Sequence, residues 1–271
     1  MRTERAFPAP RPLAKTLERW DADGRPAGVQ PKLAATVLLV RPDGSEVFMI
    51  RRVPTMQFAP SMWVFPGGGV DPRDAEVSVD WVGPDAAQWA SLLGVSAEVA
   101  VTLVMAALRE LFEECGVLLA GTADAVLAQV DESWAPDRAA LIAHEKSFAE
   151  VLHERGLAVR SDLLFVQDHW VTPGFEKRRY DTFFFTAVLP DGQEPDDATS
   201  ESAVSQWVEP ARLLAEHRAG SALMLPPTVL QLELLRDEPH APRHHEIPIA
   251  VEPSPQRGPD GWLLVARLNP R

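Results

Sequence analysis

The sequence predicts a mixed α/β fold in which one sheet is covered by helices on both faces. Three observations carry that expectation. Residues 33–40 (LAATVLLV) are almost wholly apolar and include β-branched Thr36, Val37 and Val40, as a strand buried on both sides would. Residues 96–115 form a long helical pattern that Gly116 stops. Along the chain come strands first, one central helix, more strands, and then helices.

Each element follows from local chemistry. Residues 1–31 are rich in proline and charge and read as an arm or poorly ordered lead-in. After 33–40 the turn Pro42-Asp43-Gly44 leads into 46–52 (EVFMIRR), an antiparallel partner. Residues 62–65 (MWVF) read as a third strand, broken at once by Pro66 and three glycines. The stretch 74–99 is mixed, with a short helix over 86–93 closed by Gly94. Ser96 is the N-cap of the central helix, with Glu98 in its first turn. Residues 136–155 read as a second amphipathic helix, and 163–171 and 181–189 as strands. An acidic loop over 191–201 precedes a strand at 205–208 and helices at 210–217 and 226–236. Two strand-like runs, 246–251 and 262–268, flank a turn rich in proline and glycine and end the chain as a β-hairpin.

Composition narrows the function classes. With 271 residues the chain can bury a full core, and its 46% hydrophobic and 24% charged residues are ordinary for a globular protein. A net charge of −13 disfavours general nucleic-acid binding, but not a phosphorylated small molecule met through metal ions. The single cysteine, Cys115, excludes an internal disulfide and reads as a small buried residue. No run approaches the ~20 apolar residues that span a bilayer, and the basic N-terminus is followed by no apolar stretch. A cytoplasmic protein without membrane or nucleic-acid partners is the expectation, with a homodimer left open.

The central helix carries the chemistry. At ~100° per residue with Glu110 at zero, Val101, Val104, Met105, Leu108, Leu111, Phe112 and Cys115 fall between about 100° and 220°. Glu110, Glu113 and Glu114 fall between about −60° and +40°, on the opposite side. Arg109 sits at the border, placed to neutralise or orient one of them. Three like charges at i, i+3 and i+4 repel, and hard cations such as Mg²⁺ or Mn²⁺ are bound by such oxygen clusters. A solvated acidic face is the competing reading of the helix alone.

The flanking segments separate the two readings. Arg109-Glu110-Leu111-Phe112-Glu113-Glu114-Cys115-Gly116-Val117, with the loop Phe65-Pro66-Gly67-Gly68-Gly69-Val70-Asp71 before it, resembles the signature of the Nudix hydrolase family. The usual box places seven residues between an acidic residue and the arginine. Here Asp74 is the best match, Glu76 the second, and 34 residues separate Asp74 from Arg109, so about 27 are inserted. That insertion resembles the branch that includes peroxisomal coenzyme A diphosphatases. So do Phe58-Ala59-Pro60-Ser61-Met62-Trp63, Arg179-Tyr180-Asp181-Thr182-Phe183-Phe184 and Leu225-Pro226-Pro227-Thr228.

The resemblance implies a Nudix α/β/α sandwich with mixed sheet, box helix, helical insertion and C-terminal extension. Its parts would be an arm over 1–31, a Nudix domain over 32–236 with the insertion at about 75–99, and an extension over 237–271. It further implies Mg²⁺ or Mn²⁺ held by Glu110, Glu113 and Glu114 beside Gly68, where a glycine lets the backbone approach. Catalysis would fall to Glu114 and Glu113 with Arg109, and to Glu201, since many relatives carry a glutamate in such a loop that acts on the attacking water. The substrate would be a nucleotide diphosphate derivative: coenzyme A or acyl-CoA first, ADP-ribose or a dinucleotide second. A non-catalytic nucleotide sensor is the rival, and it is disfavoured because all three box glutamates are present.

Substrate contacts have weaker signals. Lys177-Arg178-Arg179 is the only three-residue basic run, and Arg178 or Arg179 can meet a phosphate; protection of a sheet edge explains the run equally well. Strand alternation lets only one of Arg51 and Arg52 face the site, with Arg52 the candidate. Trp63, Trp170 and Trp207 could stack on a base, although core packing is the simpler role. His169 reads as a hydrogen-bonded rim residue. The insertion, with Trp81, Trp89, Leu92 and Leu93, is too apolar for a free loop, so part of it should pack near the site or at a dimer contact.

Overall fold

A computed structural model describes residues 3–56, 59–75, 79–196, 202–239 and 247–268. In chain order come β1 (Thr3–Pro8), α1 (Arg11–Ala22), β2 (Lys32–Val40), β3 (Val47–Arg52), β4 (Trp63–Val64) and β5 (Gly67–Gly69). β6 (Trp81–Val82), α2 (Ala86–Leu93), α3 (Ala97–Cys115), β7 (Ala120–Gly121), α4 (Ala135–Ile142), α5 (Phe148–Glu154) and β8 (Ala158–Arg160) follow. The chain continues through β9 (Leu164–Val171), β10 (Tyr180–Val188), β11 (Ser202–Val208), α6 (Pro210–Arg218) and α7 (Pro226–Asp237) to β12 (Ser254–Gly258) and β13 (Gly261–Leu268).

The central sheet has the order β11-β3-β2-β10-β9, with β4 on β3 and β5 on β2. Only β2 and β10 run parallel within it, so the sheet is mixed, as the fold class requires. The apolar run of β2 is explained by two cores. Ala35, Val37 and Leu39 pack with α3, whereas Leu38 and Val40 pack with α6 and α7. The α/β/α sandwich thus follows from one strand whose two faces are both apolar.

α3 starts and stops where its caps place it. Ser96 Oγ accepts a hydrogen bond from Val99 N at 3.3 Å, and Gly116 takes the left-handed conformation at φ 72° that closes the last turn. The insertion contributes α2, capped reciprocally by Asp85 and Gln88. Its Trp89 and Leu93 are buried in the α3-side core, with Trp89 edge-on to Phe185 at 6.0 Å. Among its described residues the insertion therefore enlarges this core and does not line the cleft described below.

Three sequence expectations differ from the structure. The lead-in is not a loose arm: β1 pairs antiparallel with β13, β12 completes a small terminal sheet, and α1 rests on it through Leu17, Phe175, Trp262 and Leu264. Pro255 is tolerated because β12 is an edge strand. Residues 136–155 do not form one helix, because Ser147 and Glu150 build a second capping box that starts α5 afresh. The terminal hairpin is β12–β13, while residues 247–250 belong to no strand and Val251 makes a single bridge to Trp170.

Candidate active site

One side of the central sheet opens into a cleft of about 1320 Å³. Its floor is read from strand register: Gly69, Ala34, Thr182 and Trp170 lie in one row, and Gly67, Thr36 and Phe184 in the next. Glu110, Glu113 and Glu114 of α3 line the cleft beside the glycine loop. At the other end it is closed by Pro12 and Leu13 of α1, Leu264 of β13, and the 172–178 loop.

The glycines earn their place by contact. A Cβ on Gly68 would lie 2.5 Å from Glu110 Oε1 and 2.6 Å from its Cδ, so a side chain there would displace that carboxylate. Gly67 N donates to Glu114 Oε2 at 2.7 Å, which joins loop to helix.

Arg109 is the hub of the buried charge. Its Nε and Nη2 donate to the two oxygens of Asp74 at 2.8 and 3.0 Å. Nη2 also meets Gly69 O at 3.0 Å, while Nη1 meets Glu110 at 2.9 Å and Glu113 at 3.2 Å. Asp74 in turn accepts from Asp71 N at 2.8 Å, so one carboxylate fixes both the turn after the glycines and the arginine. The acidic partner across the insertion is thus Asp74; Glu76 lies outside the described residues. With its donors so committed, Arg109 is placed to position these carboxylates.

The electrostatics leave room for a cation. Burial pushes the Glu110 carboxyl up to about 7; Arg109 opposes this and Glu113 adds to it. Glu113 is raised too, first by burial and against the pull of Arg109. Its Oε1 is buried and without a hydrogen bond among the described residues. Hard oxygens, an orphaned one among them, and a side-chain-free glycine opposite fit a hard divalent ion. Among the described residues no three such side chains converge into a ready-made metal-holding group, and Arg109 pairs with two of the glutamates instead.

The other sequence candidates separate cleanly. Arg52 lines the cleft, while Arg51 is exposed and absent from its lining. Arg178 lines it as well. Arg179 is instead a staple, its guanidinium donating to Thr172 O, Val29 O and Glu252 at 2.7 to 2.8 Å, and it is not among the residues that line the cleft. Of the tryptophans only Trp170 borders the cleft, held by a 2.8 Å bond from its Nε1 to Asp168; Trp63 and Trp207 pack elsewhere. His169 pairs with Asp181 and stacks on Phe183 at 3.9 Å, away from the cleft. Glu201 lies outside the described residues. The loop leading to it is anchored to the end of α3, where Asp196 N donates to Cys115 O and Arg138 bridges Glu113 O to Asp196. Glu176, which lines the cleft, belongs to no sequence motif and is found only from the fold.

A family model, the NUDT19 Nudix domain, matches residues 85–235, more than half of the chain. The chain belongs to the Nudix hydrolase family. Its relatives include the putative nudix hydrolase 7 of Caenorhabditis elegans, 29% identical over 202 residues, covering 74% of this chain and 59% of that protein. The acyl-coenzyme A diphosphatase NUDT19 of Xenopus laevis is 24% identical over 231 residues, covering 70% of this chain and 59% of that protein. The chain therefore spans well under two thirds of these relatives' length. The crystal structure of a Nudix hydrolase from Alicyclobacillus acidocaldarius superposes with a TM-score of 0.65 at 27% identity, covering 78% of this chain and 93% of that one. The Nudix match begins after the glycine loop, so Gly68 and Asp74 join the site by geometry rather than by that match.

Proposed function

We propose that the chain hydrolyses a diphosphate linkage in a nucleotide derivative, with Mg²⁺ or Mn²⁺ held by Glu110, Glu113 and Glu114. The observation that carries this reading is the meeting of these carboxylates with the glycine loop at one end of a deep cleft. A divalent ion there would neutralise the diphosphate and the charge that builds on the leaving phosphate. The chain's own work is to hold Glu110 and Glu113 through Arg109 and to pass the proton of the attacking water to Glu114, Glu113 or Glu201. The hydroxyl of that water ends on one phosphorus, and the other phosphate departs as the second product. Arg52 and Arg178 stand in the cleft to offset the substrate's charge.

Coenzyme A or its thioester is the leading substrate, cut to 3′,5′-ADP and a phosphopantetheine product. The name of the Xenopus laevis relative supports it. Coenzyme A carries a 3′-phosphate that ADP-ribose lacks, and Arg178 is a cation of the basic run that lines the cleft. Arg178→Ala should lower kcat/KM for coenzyme A about 10-fold more than for its 3′-dephospho form, the low end for a charge-assisted hydrogen bond at an exposed site. Arg179→Ala should weaken the fold without that discrimination. If both variants treat the two substrates as the wild type does, Arg178 is not the reader. A wild type that prefers ADP-ribose outright refutes the coenzyme A reading and leaves the diphosphatase reading standing.

Metal binding should compete with protons at Glu110. Its carboxyl titrates at about 7 in the folded chain, and the cation needs the ionised form. The rise in melting temperature on adding Mg²⁺ is therefore expected to be full above pH 7 and to shrink as pH falls through it. A Mg²⁺-induced rise that is equal at pH 8 and pH 6 contradicts this.

A further inference from the structure

Glu176 is a carboxylate in a place that a phosphate site would not choose. It sits in the loop between β9 and β10, lines the cleft, and is largely withdrawn from water. Among the described residues its side chain has no hydrogen bond and no ion pair; the nearest cations of its own loop are exposed or, in Arg179, spent on other partners. Burial raises its carboxyl above the usual range, and among the described residues no partner offsets that. Phe175, next to it in the chain, packs with Leu264 from β13 and Leu13 from α1, which also line the cleft together with Pro12 and the polar Thr16, Thr172 and Tyr180. Pro12, Leu13, Thr16 and Leu264 lie outside the stretch matched by the Nudix model, so the terminal sheet and α1 give this end of the cleft a character of its own.

The position is also right for the far end of a bound nucleotide. The floor from Gly69 through Ala34 and Thr182 to Trp170 crosses three strand spacings, about 14 Å. A diphosphate held at the glycine loop leaves the rest of a nucleoside to run along this row toward the 172–178 loop. A negative charge there repels phosphate, so what it meets must offer hydrogen-bond donors. A flat ring with apolar faces and an amino group on its edge satisfies both the walls and the carboxylate. An amide-bearing arm fits less well, because it has N–H donors but no flat ring to lie against the apolar side chains.

We propose that this end of the cleft is a nucleobase site in which Glu176 accepts a hydrogen bond from an exocyclic amino group and so selects adenine over hypoxanthine. The assignment rests on the reading of the chain as a hydrolase of nucleotide diphosphates. Arg178, two residues on, then lies on the same side as the ribose and any phosphate it carries.

The test compares adenine substrates (coenzyme A and ADP-ribose) with their deaminated, hypoxanthine counterparts, and in parallel titrates AMP and IMP without divalent ion by calorimetry. The wild type should favour adenine about 10- to 100-fold, chiefly through KM, the range of a charge-assisted hydrogen bond at a partly exposed site. Glu176→Ala should bring the ratio close to one. Glu176→Gln, which keeps the shape and gains donors, should favour the hypoxanthine carbonyl. A merely electrostatic effect of removing the charge would improve both bases alike and overturn the proposal, as would an unchanged ratio in both variants. If losses follow the pantetheine arm instead of the base, the site reads the arm and the proposal fails. Should the wild type hydrolyse no diphosphate yet bind AMP over IMP through Glu176, the base site stands and the hydrolase reading falls.

Discussion

Glu114→Gln is expected to lower turnover by about 100- to 10,000-fold, the range for removing a positioned acid–base or ligand carboxylate. The fold should not notice. Glutamine keeps an oxygen where Glu114 Oε2 accepts from Gly67 N at 2.7 Å, so the link between helix and glycine loop survives. The apolar residues of α3 that hold the helix in the core, from Val104 and Leu108 to Phe112, lie on its other side. What disappears is one negative charge at the end of the cleft, and with it either a hard ligand or the acceptor of a proton. Turnover would be followed by the mass of both products under saturating Mg²⁺, and folding by the melting curve. Near-wild-type turnover would remove Glu114 from the machinery.

Much of this arrangement was legible because its signals are local. The caps of α3, Ser96 and Gly116, stand in the sequence next to the periodic run they delimit, and the angular positions of Glu110, Glu113 and Glu114 follow from helix geometry alone. The split of 136–155 into α4 and α5 was equally local and was missed: Ser147 followed by Glu150 is a capping box inside an otherwise continuous amphipathic pattern. Non-local pairing is a different matter. β1 has one well-buried apolar residue, Phe7, and becomes a strand only because β13, at the other end of the chain, supplies its hydrogen bonds. No window of sequence holds that information. The same limit explains the two arginines. The sequence offers Arg178 and Arg179 alike, and only the approach of Val29, Thr172 and Glu252 decides which one is consumed. Glu176 carries no signal of its own, since its meaning comes from the side chains that α1 and β13 bring to this end of the cleft.

Arg109→Met tests the buried charge hub and should be the most destabilising change at the site. Side-chain exposure is 7% for Arg109 and 1% for Asp74, so this is an interior ion network rather than a surface pair. Replacing a buried pair wholesale can be neutral, but removing one partner strands the others. Here the guanidinium serves Asp74, Glu110, Glu113 and Gly69 O at once, and methionine serves none of them. A loss of about 3–5 kcal/mol follows, which for a chain of this size is a fall in melting temperature on the order of 10 °C. The sign of its pH dependence is fixed by the carboxylates left behind. Glu110 is already raised to about 7 with Arg109 pulling it down, so without that cation it rises further. A carboxyl whose folded pKa is raised stabilises the fold below its unfolded value and loses that contribution as pH climbs through the folded one. The deficit of the variant should therefore be largest near pH 8 and shrink toward pH 5, as Glu110 and Glu113 take up protons. A second change, Asp74→Asn, should restore part of the stability by removing one of those charges. A deficit that stays constant from pH 8 to pH 5 would mean that Arg109 stabilises the fold by packing, and that its charge is not what gathers the carboxylates.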